Sequence, residues 1–124
     1  MPKVTITEIR EAIAASSTNP MDNELLANLI RISLDYLTQE FPGKAVELRV
    51  PPLRVIQLLT GTTHRRGTPP SVIEMSPHTW HKILSKELTW ESGVNNGLIH
   101  ASGAHFESFI LALQVLISRN NHVD

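Results

Sequence analysis

The chain has 124 residues, 41% of them hydrophobic and 19% charged, with a formal net charge of −1. It is long enough for one domain with its own core, and this composition excludes intrinsic disorder and a strongly basic surface for nucleic acid. It contains no cysteine, which excludes disulfide bonds, thiolate metal ligands and thiol catalysis. Because we find neither the apolar core of a secretion signal nor a run of about 18 apolar residues, we expect a cytoplasmic protein without stable membrane insertion.

Two helices are predicted at the start of the chain. Thr5 and Glu8 have the spacing of a capping box, and isoleucines at positions 6, 9 and 13 share one helical face. Residues 16–20 favour turns, and Pro20 suits a first helical position, so a second helix is predicted from about Met21 to Phe41. The apolar residues of this second helix recur at three- and four-residue spacing: Leu26, Leu29, Ile30, Leu34, Leu37 and Phe41.

Three strands follow these helices. Residues 46–50 alternate apolar and charged side chains, which is typical of a half-buried strand. Residues 53–60, after two prolines, are more apolar and therefore predict a more central strand, and residues 71–75 form a third. A long connection, residues 61–70, lies between the last two.

The remaining elements are two helices, a short strand and a final helix. Ser76 and Pro77 are a cap and a first-turn proline, and Thr89 caps a short helix through Val94. A strand is predicted at residues 98–101, after which Ser102 or Gly103 begins the last helix. Its apolar stripe consists of Phe106, Phe109, Ile110, Leu113, Leu116 and Ile117. Residues 119–124 form a polar tail.

Few residues carry recognisable chemistry. His64, Arg65 and Arg66 lie between two glycines in the 61–70 connection, where guanidinium groups would hold an anion, although a solvated or salt-bridged loop explains them more simply. His78 and His81 are three residues apart, but no carboxylate at helical spacing completes a metal site. The sequence therefore predicts no metal.

A serine and a histidine near the last strand need a separate interpretation. His100 and Ser102 are two residues apart in the sequence, and we interpret them as a sheet-face residue and a helix cap rather than as a catalytic pair.

The apolar stripe of the last helix has two interpretations: it is a surface of the core, or it is the roof of an apolar cavity. Residue type does not distinguish them, because a ligand-lining residue and a core residue are both apolar.

Several motifs occur in an order that resembles the bacterial sterol-carrier-protein orthologue family, within the sterol carrier protein type two superfamily. They lie at residues 46–52, 55–57, 64–70, 72–74, 77–80, 88–90 and 97–103. The resemblance extends from about Met21 to Leu113. Two positions depart from it: Lys86 replaces an expected helix-ending glycine, and His105 replaces an expected arginine.

The resemblance implies one α+β domain over residues 1–124, with an N-terminal helix and linker at 1–18. It implies a mostly antiparallel five-stranded sheet, one strand more than the residue pattern predicts, covered by helices and enclosing an apolar cavity. Such cavities hold a fatty acid, an acyl thioester or a sterol-like lipid, with no cofactor and no chemistry. The apolar lining would be Val55, Ile56, Trp80, Leu84, Phe106, Phe109, Ile110 and Leu113, with Arg65 and Arg66 at the rim.

Two other functions are considered beside non-enzymatic lipid binding or transfer. One is a protein-interaction or accessory domain with a filled core, which docks a protein partner through residues 61–70. The other is an enzyme that uses His64 or His100, which requires a solvent-accessible pocket where either histidine lies beside a carboxylate. The sequence leaves monomer and dimer open.

Overall fold

The computed structural model describes residues 3–61, 71–103 and 106–121, and the structural statements below concern these residues. They form one α+β domain with five helices and four strands. In chain order the elements are α1 (Ile6–Thr18), α2 (Asn23–Glu40), β1 (Val46–Val50), β2 (Arg54–Leu58), β3 (Ser71–Met75), α3 (Pro77–Leu84), α4 (Trp90–Asn95), β4 (Ile99–Ser102) and α5 (Phe106–Asn121).

The helix starts follow side-chain caps. The Thr5 hydroxyl accepts a hydrogen bond from the Glu8 amide at 3.2 Å, and Ser76 caps α3 with a proline in the first turn, so both predicted caps are confirmed. The second helix differs from its prediction. The Asp22 carboxylate caps it by accepting hydrogen bonds from the amides of Glu24 and Leu25, at 3.0 and 3.1 Å. The helix α2 therefore begins at Asn23, and Pro20 precedes it.

The four strands form one sheet in the order β2-β1-β3-β4. The prediction of a more central strand at residues 53–60 is therefore wrong, because among the described strands β2 pairs only with β1 and lies at the edge of the sheet. β1 pairs antiparallel with β2 and β3 pairs antiparallel with β4, while the central pair, β1 and β3, is parallel. The sheet is therefore mostly antiparallel, as expected. The fifth strand that the resemblance implied is not among the described residues, and their four strands match the number that the residue pattern predicts.

One face of this sheet is buried beneath the helices. Leu48 lies beside Ile56 on one side and Ile73 on the other, and all three belong to the core. Strand side chains alternate between faces, so the opposite face carries Glu47, Arg49 and their cross-strand neighbours. The predicted alternation of residues 46–50 is thereby confirmed.

The connection from β4 to α5 differs from the prediction. Ser102 is the last residue of β4 and does not cap α5, which begins at Phe106. Gly103 has a φ of +104°, and a Cβ atom there would lie 2.6 Å from the Cα atom of Ser71. The chain turns away from the sheet at this glycine because the start of β3 leaves no room for a side chain.

Candidate functional site

An apolar groove of about 300 Å³ lies between α5 and the segment that joins α3 to α4. We call it the α5 groove. Its apolar lining residues are Ile83, Leu88, Trp90, Ile110, Leu113 and Ile117, and its polar ones are Lys86, Thr89 and Gln114. The volume is at the lower end of the range for small-molecule sites, which begins at about 300 Å³. A largely apolar wall with a few polar groups is the usual composition of such sites.

The turn after α3 forms one wall of the groove. The amides of Glu87 and Leu88 both donate to the Lys82 carbonyl, at 2.9 and 3.1 Å, which closes the end of α3. Between them and the helix, Lys86 has a φ of +67°. Lys86, where the resemblance led us to expect a glycine, therefore has the left-handed backbone that a glycine would adopt, at a cost of about 1 to 2 kcal/mol.

The other wall comes from α4 and α5. The Thr89 hydroxyl accepts the Ser92 amide at 3.1 Å and so starts α4 with Trp90 in its first turn. The Trp90 ring packs against the Phe109 ring of α5, with centroids 5.8 Å apart and an interplanar angle of 49°. This tilted aromatic contact joins α4 to α5 beside the groove, which Trp90 lines.

Two predicted lining residues, Ile110 and Leu113, line the α5 groove. The structure places most of the others in the hydrophobic core or against it: Ile56, Trp80, Leu84, Phe109 and the half-buried Phe106. Whether these residues also meet a ligand stays a prediction. Val55 is 55% exposed, and it lies on the opposite face of the sheet from its neighbour Ile56. Val55 is therefore on the exposed face of the sheet, and Ile56 is on the buried one.

Trp80 shows why a predicted lining residue belongs to the core. Its indole N–H donates to the Ser33 hydroxyl at 2.8 Å, and that hydroxyl donates to the Leu29 carbonyl at 2.6 Å. All of these groups are buried, so the hydrogen bonds satisfy polar atoms that would otherwise be costly to bury. This pair ties α3 to α2 and fixes the Trp80 ring.

Four apolar lining residues of the α5 groove were not predicted as lining: Ile83, Leu88, Trp90 and Ile117. Signals for three of them exist in the sequence. Ile117 belongs to the predicted apolar stripe, and the motif at residues 88–90 supplies Leu88 and Trp90. What the sequence does not show is that the turn after α3 brings that motif beside α5.

The histidines of α3 occupy different environments. His78 is exposed, whereas His81 is buried and its Nε2 atom lies 3.1 Å from the Ser17 hydroxyl of α1. Burial lowers the pKa of His81 below its ordinary value of 6.5, although the nearby Glu87 carboxylate acts in the opposite direction. No group of three or more potential metal ligands occurs among the described residues.

A further pocket, of about 300 Å³, contains His100 beside a carboxylate. His100 and Glu74 are direct partners across β3 and β4, and Ser76 and Thr79 lie in the same pocket. The pocket thus places a histidine beside a carboxylate, as the enzyme hypothesis requires. However, the Ser76 hydroxyl is engaged with Thr79 as the α3 cap, and no described hydrogen bond joins it to His100. The described part of this pocket therefore shows no hydroxyl nucleophile that is hydrogen-bonded to His100.

The remaining predicted residues, His64, Arg65 and Arg66, lie outside the described residues, as does His105. The rim and docking roles of residues 61–70 remain predictions. Within the described chain, no helix combines the length and the apolar character that crossing a bilayer would require.

A comparison with protein families identifies one match. Residues 22–112 match the family described as bacterial SCP ortholog, which covers more than half of the chain. No curated protein matches the chain.

Proposed function

Because the chain belongs to the family of bacterial sterol-carrier-protein orthologues, we propose that it binds the apolar part of a lipid or another hydrophobic small molecule in the α5 groove. The observation that carries this proposal is the apolar groove between α5 and the α3–α4 connection. Two residues expected to line a ligand cavity, Ile110 and Leu113, lie in it. The ligand is held without chemistry and is released unchanged.

The composition of the groove supports binding without catalysis. Lys86 is the one ionisable residue among its described lining residues, which include neither a carboxylate nor an imidazole. Proton transfer from such a lining has no acid–base pair to use. The apolar walls instead favour ligands through the area that they remove from water, at roughly 25 cal/mol per Å².

This mechanism predicts a dependence on chain length. Each methylene group buried in the groove contributes about 0.8 kcal/mol, which corresponds to about a fourfold decrease in Kd. The decrease should stop when the groove is full, because further methylene groups then remain in water. A series of saturated fatty acids measured against a displaced fluorescent fatty acid gives the length at which it stops.

Native mass spectrometry of the purified protein, followed by organic extraction, tests the proposal. A lipid or other apolar molecule bound at about one molecule per chain supports it and identifies the ligand class. An empty protein that also fails to bind a fluorescent fatty acid contradicts it. That result would favour the alternative, a domain that docks a protein partner through residues 61–70.

A further inference from the structure

A larger cleft, of about 590 Å³, lies among the N-terminal segment, α1, α2 and β2. It has no lining residue in common with the α5 groove. We call it the Arg31 cleft. Five of its lining residues are charged: Lys3, Glu8, Arg31, Asp35 and Arg54. Its volume is typical of small-molecule sites, which span about 300 to 1,000 Å³, while its charged lining calls for a different ligand from that of the α5 groove.

The walls of the Arg31 cleft are fixed by hydrogen bonds. The side-chain amide of Gln39 accepts the Val4 N–H at 2.9 Å and donates to the Val4 carbonyl at 3.0 Å. The Gln39 side chain thus satisfies both backbone groups of Val4, as a residue of a neighbouring strand would. These two hydrogen bonds hold the N-terminal segment against α2. Ile32, only 6% exposed, supplies an apolar patch in the cleft. A ligand therefore meets walls that are already in place, which reduces the entropy cost of binding.

Two arginines, from α2 and β2, line the cleft. Arg31 and Asp35 are four residues apart in α2, so their side chains are neighbours on one helix face. The Asp35 carboxylate accepts a hydrogen bond from Nη2 of Arg54, which brings the β2 arginine to that face. The ion pair between Arg54 and Asp35 joins β2 to α2. Arg31 takes no part in this ion pair, so the contact between β2 and α2 does not account for its position in the cleft.

Both arginines keep unused hydrogen-bond donors. A guanidinium has five N–H donors. In the described part of the chain, Arg54 donates only through Nη2 to Asp35, and Arg31 only through Nη2 to the neutral Asn28 side chain at 2.7 Å. The donors that remain are suited to the oxygen atoms of an anion, which arginine binds in a bidentate manner.

The charges of the cleft favour an anionic ligand. Three cations face two carboxylates, and the Asp35 carboxylate is already paired with Arg54. Neither Lys3 nor Arg31 forms an ion pair with any described carboxylate. A single negative group bound beside Arg31 would balance the excess positive charge.

We propose that the Arg31 cleft binds a small organic anion. Its carboxylate or phosphate group lies between Arg31 and Arg54, and its apolar part contacts Ile32 and Val4. This site is separate from the α5 groove and does not depend on lipid binding. Because both arginines are partly or largely exposed to solvent, the affinity is modest and decreases with salt.

Three probes of similar shape test the proposal: benzoate, phenyl phosphate and the neutral benzamide. Titration of the ¹⁵N-labelled full chain, followed by NMR, should give saturable shifts of the backbone amides of Val4, Ile32, Asp35 and Arg54. At least one of the two anions should bind five times more tightly than benzamide, and the tighter anion identifies the preferred group. Equal affinity for benzamide, or no saturable shift at these amides with either anion, overturns the proposal.

A matched pair of variants identifies the residue responsible. Arg31→Gln removes the charge at an exposed position of α2 and should weaken binding of the anion by three- to tenfold. Lys82→Gln removes the same charge from the exposed surface of α3, away from the cleft, and should leave the Kd unchanged. Circular dichroism confirms that both variants fold. Equal Kd values for Arg31→Gln and the unmodified chain contradict the proposed role of Arg31.

Discussion

Replacement of Ile110 by glutamine is the sharpest test of the α5 groove, because this residue lines the groove yet is only half-buried. Complete burial of an isoleucine side chain contributes about 1.5 to 3 kcal/mol, so a ligand that covers the exposed part of Ile110, roughly a third of it at most, gains about 0.5 to 1 kcal/mol. Burying the amide of glutamine there costs about 1 kcal/mol more. The sum, about 1.5 to 2 kcal/mol, predicts that Ile110→Gln weakens binding roughly 10- to 30-fold.

The neighbouring residue provides the control. Leu111 is 63% exposed and does not line the groove, so Leu111→Gln removes a similar apolar side chain from the same helix without touching the ligand. We expect its Kd to change less than twofold. Both variants should retain the helical circular dichroism of the unmodified chain, and displacement of a fluorescent fatty acid gives the three Kd values. If the two variants bind equally well, the ligand does not lie in the α5 groove.

Two predictions concern stability and are measured by urea unfolding. Lys86→Gly should raise the free energy of unfolding by about 1 kcal/mol, because glycine adopts the left-handed backbone at φ +67° without strain; an unchanged or lower value would contradict the conformation of this turn. Because the pKa of His81 is lowered in the folded chain, the unfolded chain binds more protons as the pH falls below 6.5. The contribution of neutral His81 to the free energy of unfolding is therefore complete above pH 6.5 and decreases below that value. His81→Gln should remove this part of the pH dependence, and an identical pH profile for the variant would show that other groups cause it.

The helices and strands were predictable where one local signal determines them. Thr5, Ser76 and Thr89 each cap the helix that follows, because a short hydroxyl side chain competes well for free amides at a helix start. The second helix was predicted less well because two signals compete there. Pro20 suits a first helical position, but Asp22 accepts two amides and so determines the start. The first residue of α2 therefore depends on the hydrogen bonds of Asp22, and residue preferences alone do not show which of the two signals determines it.

The end of the sheet was not predictable from local pattern. β4 extends to Ser102 because that residue pairs with Val72 of β3, and this pairing depends on a strand nearly thirty positions earlier in the chain. Serine is a common helix cap, and this preference alone led to the prediction that Ser102 caps the last helix. Pairing with β3 decides instead, since backbone hydrogen bonds within the sheet take precedence over a local cap.

The candidate site shows the same division between local and long-range information. The apolar stripe of α5 identified Ile110 and Leu113, but it did so together with Phe109, which is completely buried in the core. The spacing of apolar residues predicts which face of a helix is buried, but it does not predict whether the core or a groove lies against that face. Leu88 and Trp90 follow the turn at Lys86 and lie opposite one edge of the stripe, and the groove is between them and α5. The residues of α5 that face the groove therefore differ from those that only fill the core by what lies opposite them, and the sequence of α5 does not show this.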